Sequence, residues 1–345
     1  MTPRPPTVPA AKLPAATHLL VGNPTAQSGK NAERIERAAR GLASFGVTCD
    51  VMATLPEGAT IPALADRLRR SSLACVIAMG GDGTFREVAS GLMESGRAEH
   101  VTMAMLPTGT ANDQGRSFGL DGGDDALERN LRVLLAARET RLDAGKMVTS
   151  AHSGWFFDSA GWGISARVLR ARNEDRDYVD AHAPLLKALY RDQLVYAGAL
   201  LRVFLESYVL DDTFTAEIEA DGARVVLEGL TDLVVKGTRI YGGAWVLDRT
   251  SRHDDGLFEV VPFRGKLDWT AKAIVDLEGN PITEEVLDTL GVAHARPLRF
   301  SHATIRIAWP PGGAVPAAQI DGEESPATGE ARIEVVPRAI RLVVP

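Results

Sequence analysis

Between the apolar run Leu73 to Met79 and a helix-patterned segment, Phe85 to Met93, the chain carries Gly80-Gly81-Asp82-Gly83-Thr84, a bare glycine turn with a single carboxylate. Strand, glycine turn and helix in that order predict an α/β unit, because only such a unit places an unprotected backbone at the end of a buried strand. Glycines let the backbone approach an oxyanion and take positive φ, while successive N–H groups and the following helix N-terminus supply positive potential. Asp82 can hold a magnesium ion or accept a proton. The turn therefore predicts a phosphate-handling site of the nucleotide-kinase type.

The rest of the first 143 residues repeats the pattern. His18 to Val21, Val47 to Met52, Leu73 to Met79 and Val101 to Leu106 read as strands, with Ile35, Ala38, Ala39 and Leu42, then Ile61, Leu64, Ala65 and Leu68, at helical spacing between them. In an open parallel sheet, ligands bind beyond the carboxyl ends of the strands. Three such ends carry turn chemistry: Gly22-Asn23-Pro24, the Gly80 to Thr84 turn, and Leu106 through Asp113. The three loops are expected to converge on one site.

After about Asp143 the texture changes to short runs broken by Gly, Asp and Pro: Trp155 to Asp158, Phe214 to Ala220, Val225 to Glu228, Leu230 to Lys236, Leu257 to Pro262, Leu298 to Ser301 and Thr304 to Trp309. These predict an antiparallel β domain. Ala183 to Tyr208 carries an apolar helical stripe that either packs against this domain or covers a lipid pocket. Arg338 to Val344 reads as a last strand returning to the first domain. The expected division is a tail at 1–16, an α/β domain at 17–143 completed by 336–345, and a β domain at 144–335.

Composition excludes several classes of function. A net charge of −7 argues against a broad nucleic-acid surface. Cys49 and Cys75 are the only cysteines, so a disulfide framework is not expected and a reducing cytoplasm is the expected compartment. The Pro- and Ala-rich residues 1–16 lack the apolar core of a signal peptide. Leu194 to Leu210 is interrupted by Arg202 and Glu206 and is too short and polar to span a membrane, so any membrane contact is expected to be peripheral. His152, His253 and His302 share no metal-ligand spacing.

Read together, these motifs resemble the diacylglycerol kinase catalytic-domain family, which includes sphingosine kinases and bacterial multi-substrate lipid kinases. The resemblance rests on Asn23-Pro24 with Ser28-Gly29-Lys30, the glycine turn followed by Glu87-Val88, the Leu106 to Asp113 run, Phe156 to Gly163, Asp254-Asp255-Gly256-Leu257, and Asp321-Gly322-Glu323. It implies an N-terminal α/β domain with a parallel sheet (NAD kinase/diacylglycerol kinase-like), a C-terminal antiparallel β-sandwich, and an active site in the cleft between them. It also implies ATP and Mg2+ as cofactors and a lipid hydroxyl at a membrane surface as acceptor. By resemblance, Asn23, Thr54, Gly80, Gly81, Asp82, Gly83, Thr84 and Thr110 contact the nucleotide. Asp255 and the backbone carbonyls of Arg252 and Leu257 would bind a magnesium ion that stabilises the β domain. Asp82 and Glu323 are the two candidate catalytic bases, and the sequence does not rank them.

The chain departs from the family pattern at two places. Arg86 stands where an asparagine is usual, and Lys236 to Ala244 lacks the usual asparagine before its glycine. Arg86 is expected on the exposed face of its helix. Two other readings share parts of the pattern: an NAD kinase-like enzyme with a soluble acceptor, and a non-catalytic lipid-binding regulator. The spacing G-x-x-x-x-G-K-[ST] is absent around Gly22 and Gly29, so Lys30 is expected to be a solvated lysine at a helix start.

Overall fold

The computed structural model describes residues 17–109, 112–123, 125–167, 169, 213–241, 245–246, 251–264, 298–313 and 315–345. The expected helix Ala183 to Tyr208, the apolar stretch Leu194 to Leu210 and Thr110 lie outside these residues. The first part of the chain runs β1 (His18–Gly22), α1 (Lys30–Ser44), β2 (Cys49–Ala53), α2 (Thr60–Arg69), β3 (Cys75–Gly80), α3 (Asp82–Glu94), β4 (Thr102–Pro107), α4 (Asp113–Ser117) and α5 (Ala126–Ala136). Strands then dominate: β5 (Glu139–Thr149), β6 (Ser153–Phe156), β7 (Ser159–Gly163), β8 (Phe214–Ala220), β9 (Ala223–Leu230), β10 (Asp232–Lys236), β11 (Ile240–Tyr241) and β12 (Trp245–Val246). The chain finishes with β13 (Phe258–Phe263), β14 (Leu298–Phe300), β15 (His302–Ala308), β16 (Ala318–Ile320), β17 (Glu323–Ser325) and β18 (Glu330–Val343).

β1 to β4 form the parallel sheet in the order β2-β1-β3-β4. Helices cover both of its faces, which is why β3 and β4 read as continuous apolar runs. On one face Leu64, Leu68, Val88 and Leu92 of α2 and α3 pack on Leu19, Val21, Val76 and Met103. On the other, Ile35, Leu42, Leu131 and Leu134 of α1 and α5 pack on Leu20, Ile77 and Leu106. Each fully buried leucine or isoleucine contributes about 1.5–3 kcal/mol, so the four-stranded layer is well fixed beneath its loops. The two cysteines lie in β2 and β3, where burial pushes the Cys49 thiol up to about 11 and the Cys75 thiol up to about 12, leaving both inert.

The second part is a sandwich. Its larger sheet is continuous with the parallel one: β18 pairs in parallel with β4 through Leu342 and Met103, and antiparallel with β15, which pairs with β8 and then β9. The smaller sheet has the order β14-β13-β10-β7-β16-β17. Along β8 and β15 the inward residues Phe214, Ala216, Ile218 and Ala303, Ile305, Ile307 alternate with outward ones, and they meet Trp162, Leu233, Val235, Phe258 and Ile320 of the facing sheet. An α/β domain with a parallel sheet followed by an antiparallel sandwich is the fold expected from the sequence.

Three features were not foreseen. β5 crosses the change of texture at Asp143 and pairs along most of its length with β18, so one long hairpin-like pair joins the two layers. β7 has no apolar run, yet all five of its residues are buried. The helix after the glycine turn starts at Asp82, not at Phe85, because Asp82, Gly83 and Thr84 already form its first turn. Asp143 is the clip of the junction. Fully buried, it accepts the N–H of Arg338 at a bulge in β18 (2.6 Å) and the N–H of Gly256 (2.7 Å), and its own N–H goes to the His253 carbonyl (2.7 Å). Among the described residues no helix is long and apolar enough to cross a membrane.

Candidate active site

The register of the parallel sheet aligns the strand ends. Gly22 lies beside Ala53 on one side and Met79 on the other, and Gly80 lies beside Pro107. The loops leaving these strands are laced together: the Thr54 N–H donates to the Gly22 carbonyl (2.9 Å) and the Thr108 N–H to the Gly80 carbonyl (2.8 Å). Half-buried Thr54 thus stands next to the Gly22-Asn23-Pro24 turn. Asn23 folds that turn itself, its Oδ1 accepting from the N–H (3.0 Å) and hydroxyl (2.8 Å) of Thr25, while its carbonyl accepts from the buried Asn31 amide (2.7 Å). Lys30 is exposed at the head of α1.

Two glycines bring the second and third loops into backbone contact. A Cβ on Gly109 would collide with the Gly81 Cα, and one on Gly81 would sit 3.2 Å from the Gly109 Cα. The run after β4 is held in shape by Asn112, which takes positive φ and both accepts from the Gly109 N–H (2.8 Å) and donates to its carbonyl (2.6 Å). Gly80 faces the Thr84 side chain so closely that no Cβ fits between them. The helix opens on Gly81 with no side-chain cap, so its first N–H groups are not satisfied by a cap at the point where the loops meet.

Asp82 sits at this helix start and accepts the N–H of Gln114 from the third loop (3.1 Å). Burial raises its proton affinity above the usual carboxylate range; the Gln114 N–H opposes that shift and the Asp158 carboxylate adds to it. The carboxylate acts as a bond between loops, drawing on the Gln114 and Asp113 N–H groups, and it also engages its own N–H at the helix start.

The sandwich supplies the opposite wall. The Asp321-Gly322-Glu323 turn joins β16 to β17, and Asp321 takes positive φ there. Its buried carboxylate accepts backbone N–H groups of Phe157 (3.0 Å), Asp158 (2.8 Å) and Ser159 (3.0 Å), pinning the turn between β6 and β7. Burial pushes Asp321 up to about 7, against the lowering pull of the Arg86 guanidinium; the Asp158 charge raises it further. Two residues on, the Glu323 carboxylate lies against Gly83, where a Cβ would collide with its Oε1. Arg86 does not lie on an exposed helix face as the sequence suggested. It reaches across to form an ion pair with Glu323, and only 21% of its side chain is exposed. Glu323 is therefore brought to the same glycine turn as Asp82.

Sequence reading missed a buried ion pair behind this wall. Lys236 Nζ lies 3.5 Å from Asp158 Oδ1 and 5.0 Å from the centre of the Tyr241 ring. The Asp158 carboxylate also accepts the hydroxyls of Thr238 and Ser159. Asp158 lies within the quoted Phe156 to Gly163 segment and Lys236 marks a departure from the family pattern, but neither has a spacing that announces a partner. The Asp254-Asp255-Gly256-Leu257 turn lies apart from these groups, on the Asp143 clip. Asp255 is exposed and accepts the Leu257 N–H (3.2 Å), while Asp254 pairs with Arg252 (3.2 Å). Among the described residues no group of three or more His, Cys, Asp or Glu side chains is arranged around a metal position.

Comparison with known proteins bears on the fold and on the segment that holds the glycine turn. Residues 17–147 match the family described as the diacylglycerol kinase catalytic domain. A probable lipid kinase YegS-like protein of Enterobacter sp. (strain 638) is 34% identical over 149 residues, 41% of this chain and 46% of that protein, so this alignment spans less than half of the relative's length. A probable lipid kinase YegS-like protein of Chromohalobacter salexigens is 28% identical over 276 residues, covering 76% of this chain and 81% of the relative. In three dimensions, a diacylglycerol kinase of Bacillus anthracis str. Sterne shares the fold with a TM-score of 0.68 at 18% identity, over 95% of this chain and 97% of that one. Residues 17–147, which hold the converging loops and the glycine turn, are thus similar to the diacylglycerol kinase catalytic domain, and the two-part fold is shared with a solved diacylglycerol kinase.

Proposed function

We propose that the protein is an ATP-dependent lipid kinase that transfers the γ-phosphate to a lipid hydroxyl, of the diacylglycerol, phosphatidylglycerol or sphingoid type, at a membrane surface in the cytoplasm. The observation that carries this reading is the meeting of Asp82 and Glu323 at one glycine turn, from separate sheets. Phosphoryl transfer needs the triphosphate clamped and the acceptor oxygen in line, and it needs little covalent chemistry from the protein. The side-chain-free contact of Gly81 with Gly109 and the start of α3 behind it fit a triphosphate: on that side an anion can approach the backbone closely. Thr54, Thr84, Asn23 and Thr110 are assigned to the nucleotide by resemblance. Bound magnesium would screen phosphate charge at the nucleotide, and at Asp255, Arg252 and Leu257 it would stiffen the turn held by Asp143.

Within this reading the chain's own groups divide the work. The α3 N-terminus and the glycine backbones orient and stabilise phosphate oxygens. Asp82 or Glu323 takes the proton from the acceptor hydroxyl; burial raises the proton affinity of Asp82, the direction that favours this role. The wall built by Asp321, Asp158 and Lys236 excludes water from behind.

The test is transfer of labelled γ-phosphate from Mg·ATP to diacylglycerol, phosphatidylglycerol, sphingoid bases and ceramide in detergent micelles, with NAD and sugar phosphates alongside. A labelled lipid is the expected result. Label on the soluble acceptors alone would replace this reading with an NAD kinase-like one, and absence of ATP binding would leave a lipid-binding regulator. Gly109→Ala checks the nucleotide cradle separately. The added methyl meets backbone on Gly81, which cannot swing aside, so the two loops must part: ATP affinity is expected to fall roughly tenfold or more, and the melting temperature to fall with it. An unchanged affinity by calorimetric titration would remove the triphosphate from that contact.

A further inference from the structure

Arg86 is the only residue of α3 whose side chain forms an ion pair across to the Asp321–Glu323 turn among the described residues. It lies one helical turn beyond Asp82, and its Nε is buried without a hydrogen-bond partner, so the guanidinium is held by packing and by Glu323 more than by solvent. The Glu323 carboxylate is meanwhile pressed onto the Gly83 backbone. A long glutamate at a turn of the chain, half exposed, would otherwise sample several rotamers. We propose that Arg86 is a positioning residue for phosphoryl transfer: its ion pair with Glu323 fixes that carboxylate on the Gly83 backbone beside Asp82 and docks the β16–β17 turn of the sandwich onto α3. This rests on the reading of the site as a kinase centre with Glu323 as one of its carboxylates.

The charged surroundings give the proposal a readout that plain packing would not move. Around the pair stand Glu87 on α3, Asp321 on the same turn as Glu323, and His152 ahead of β6; Asp158, Asp82, Lys146 and Lys236 lie one step further out. Arg86 pulls the proton affinity of Asp321 down, against burial and the Asp158 charge. Without that cation Asp321 takes up its proton at higher pH. A protonated Asp321 accepts fewer hydrogen bonds and loosens its hold on the Phe157, Asp158 and Ser159 N–H groups. The acid limb of the rate profile should therefore move upward when Arg86 is lost.

The experiment compares the unaltered protein with Arg86→Gln, Arg86→Lys, Glu323→Gln and the Arg86→Gln/Glu323→Gln double variant, in the lipid phosphorylation assay across pH and in thermal melting. The expected result for Arg86→Gln is a turnover loss of roughly ten- to a hundredfold with KM for ATP unchanged. Its acid limb should rise by about one pH unit, Arg86→Lys should recover part of the rate, and the double variant should be no slower than Glu323→Gln alone. Multiplying losses in the double variant, or an unmoved pH profile, would overturn the proposal. If the unaltered protein labels no lipid, the kinase reading fails on its own. Carbon-13 titration of the Asp321 carboxyl then still tests the docking of the β16–β17 turn onto α3: an upward shift in Arg86→Gln supports that contact, and no shift refutes it.

Discussion

Asp82→Asn is expected to fold normally and to turn over roughly 10² to 10⁴ times more slowly than the unaltered protein. The amide is nearly isosteric with the carboxylate, and its oxygen can still accept the Gln114 N–H, so the bond between the second and third loops survives. What disappears is the charge. Burial has raised the proton affinity of Asp82, so the native state holds its proton more tightly than the unfolded chain does. An ionised Asp82 consequently costs stability as pH rises from the unfolded carboxylate range through its raised native value. The neutral asparagine removes that cost, and the melting temperature at neutral pH should stay level or rise. Lost activity with retained stability is the signature of a group that serves the reaction at the expense of the fold. Near-normal turnover in this variant would transfer the base to Glu323, and near-normal turnover in both Asp82→Asn and Glu323→Gln would refute both assignments.

Lys236→Met is expected to destabilise the protein by about 3–5 kcal/mol, because removing one partner of a buried pair leaves an uncompensated charge. The side chains of Lys236 and Asp158 are 1% and 5% exposed, and the like charges of Asp82 and Asp321 already act on Asp158. Lys236 has no route to water from the middle of the smaller sheet, where it faces Ser159 on β7 and Glu259 on β13. A fall in melting temperature on the order of 5–10 °C should follow. The exposed pair of Arg70 and Asp66 on α2 is the natural control: its side chains are 74% and 50% exposed, and an exposed pair four residues apart on a helix is worth about 0.3–0.5 kcal/mol. Adding Asp158→Asn to Lys236→Met should recover part of the loss. Equal melting temperatures for Lys236→Met and Arg70→Met would mean that the buried pair contributes no more than an exposed one.

The contrast between these residues shows what kind of information each stretch of sequence carries. β1, β3 and β4 are buried on both faces, so burial itself demands a continuous apolar run, and the run is visible without any partner. β5 reads Glu139-Thr-Arg-Leu-Asp-Ala-Gly-Lys-Met-Val-Thr, with charged residues among the apolar ones, because its burial varies along its length. β7 is Ser-Ala-Gly-Trp-Gly, buried by neighbours on both sides and marked by no periodicity of its own. The glycine turn was legible because its requirement is local: backbone must pass close to backbone, and only glycine permits that at Gly81 and Gly109.

Family resemblance alone singled out Glu323; the sequence by itself determined the parallel layer, the glycine turn at its strand ends and the alternating strands of the sandwich. Each of these follows from burial or backbone geometry within a few residues. Tertiary structure alone decided that Arg86 meets Glu323 across 237 residues of chain, that Lys236 neutralises Asp158 inside the sheet, and that Asp143 clips the bulge of β18 to the Asp254–Gly256 turn. A charged side chain has no preferred neighbour until burial removes its water. Its partner is then whichever group the packed sheets bring within a few ångströms, and no local pattern encodes that meeting.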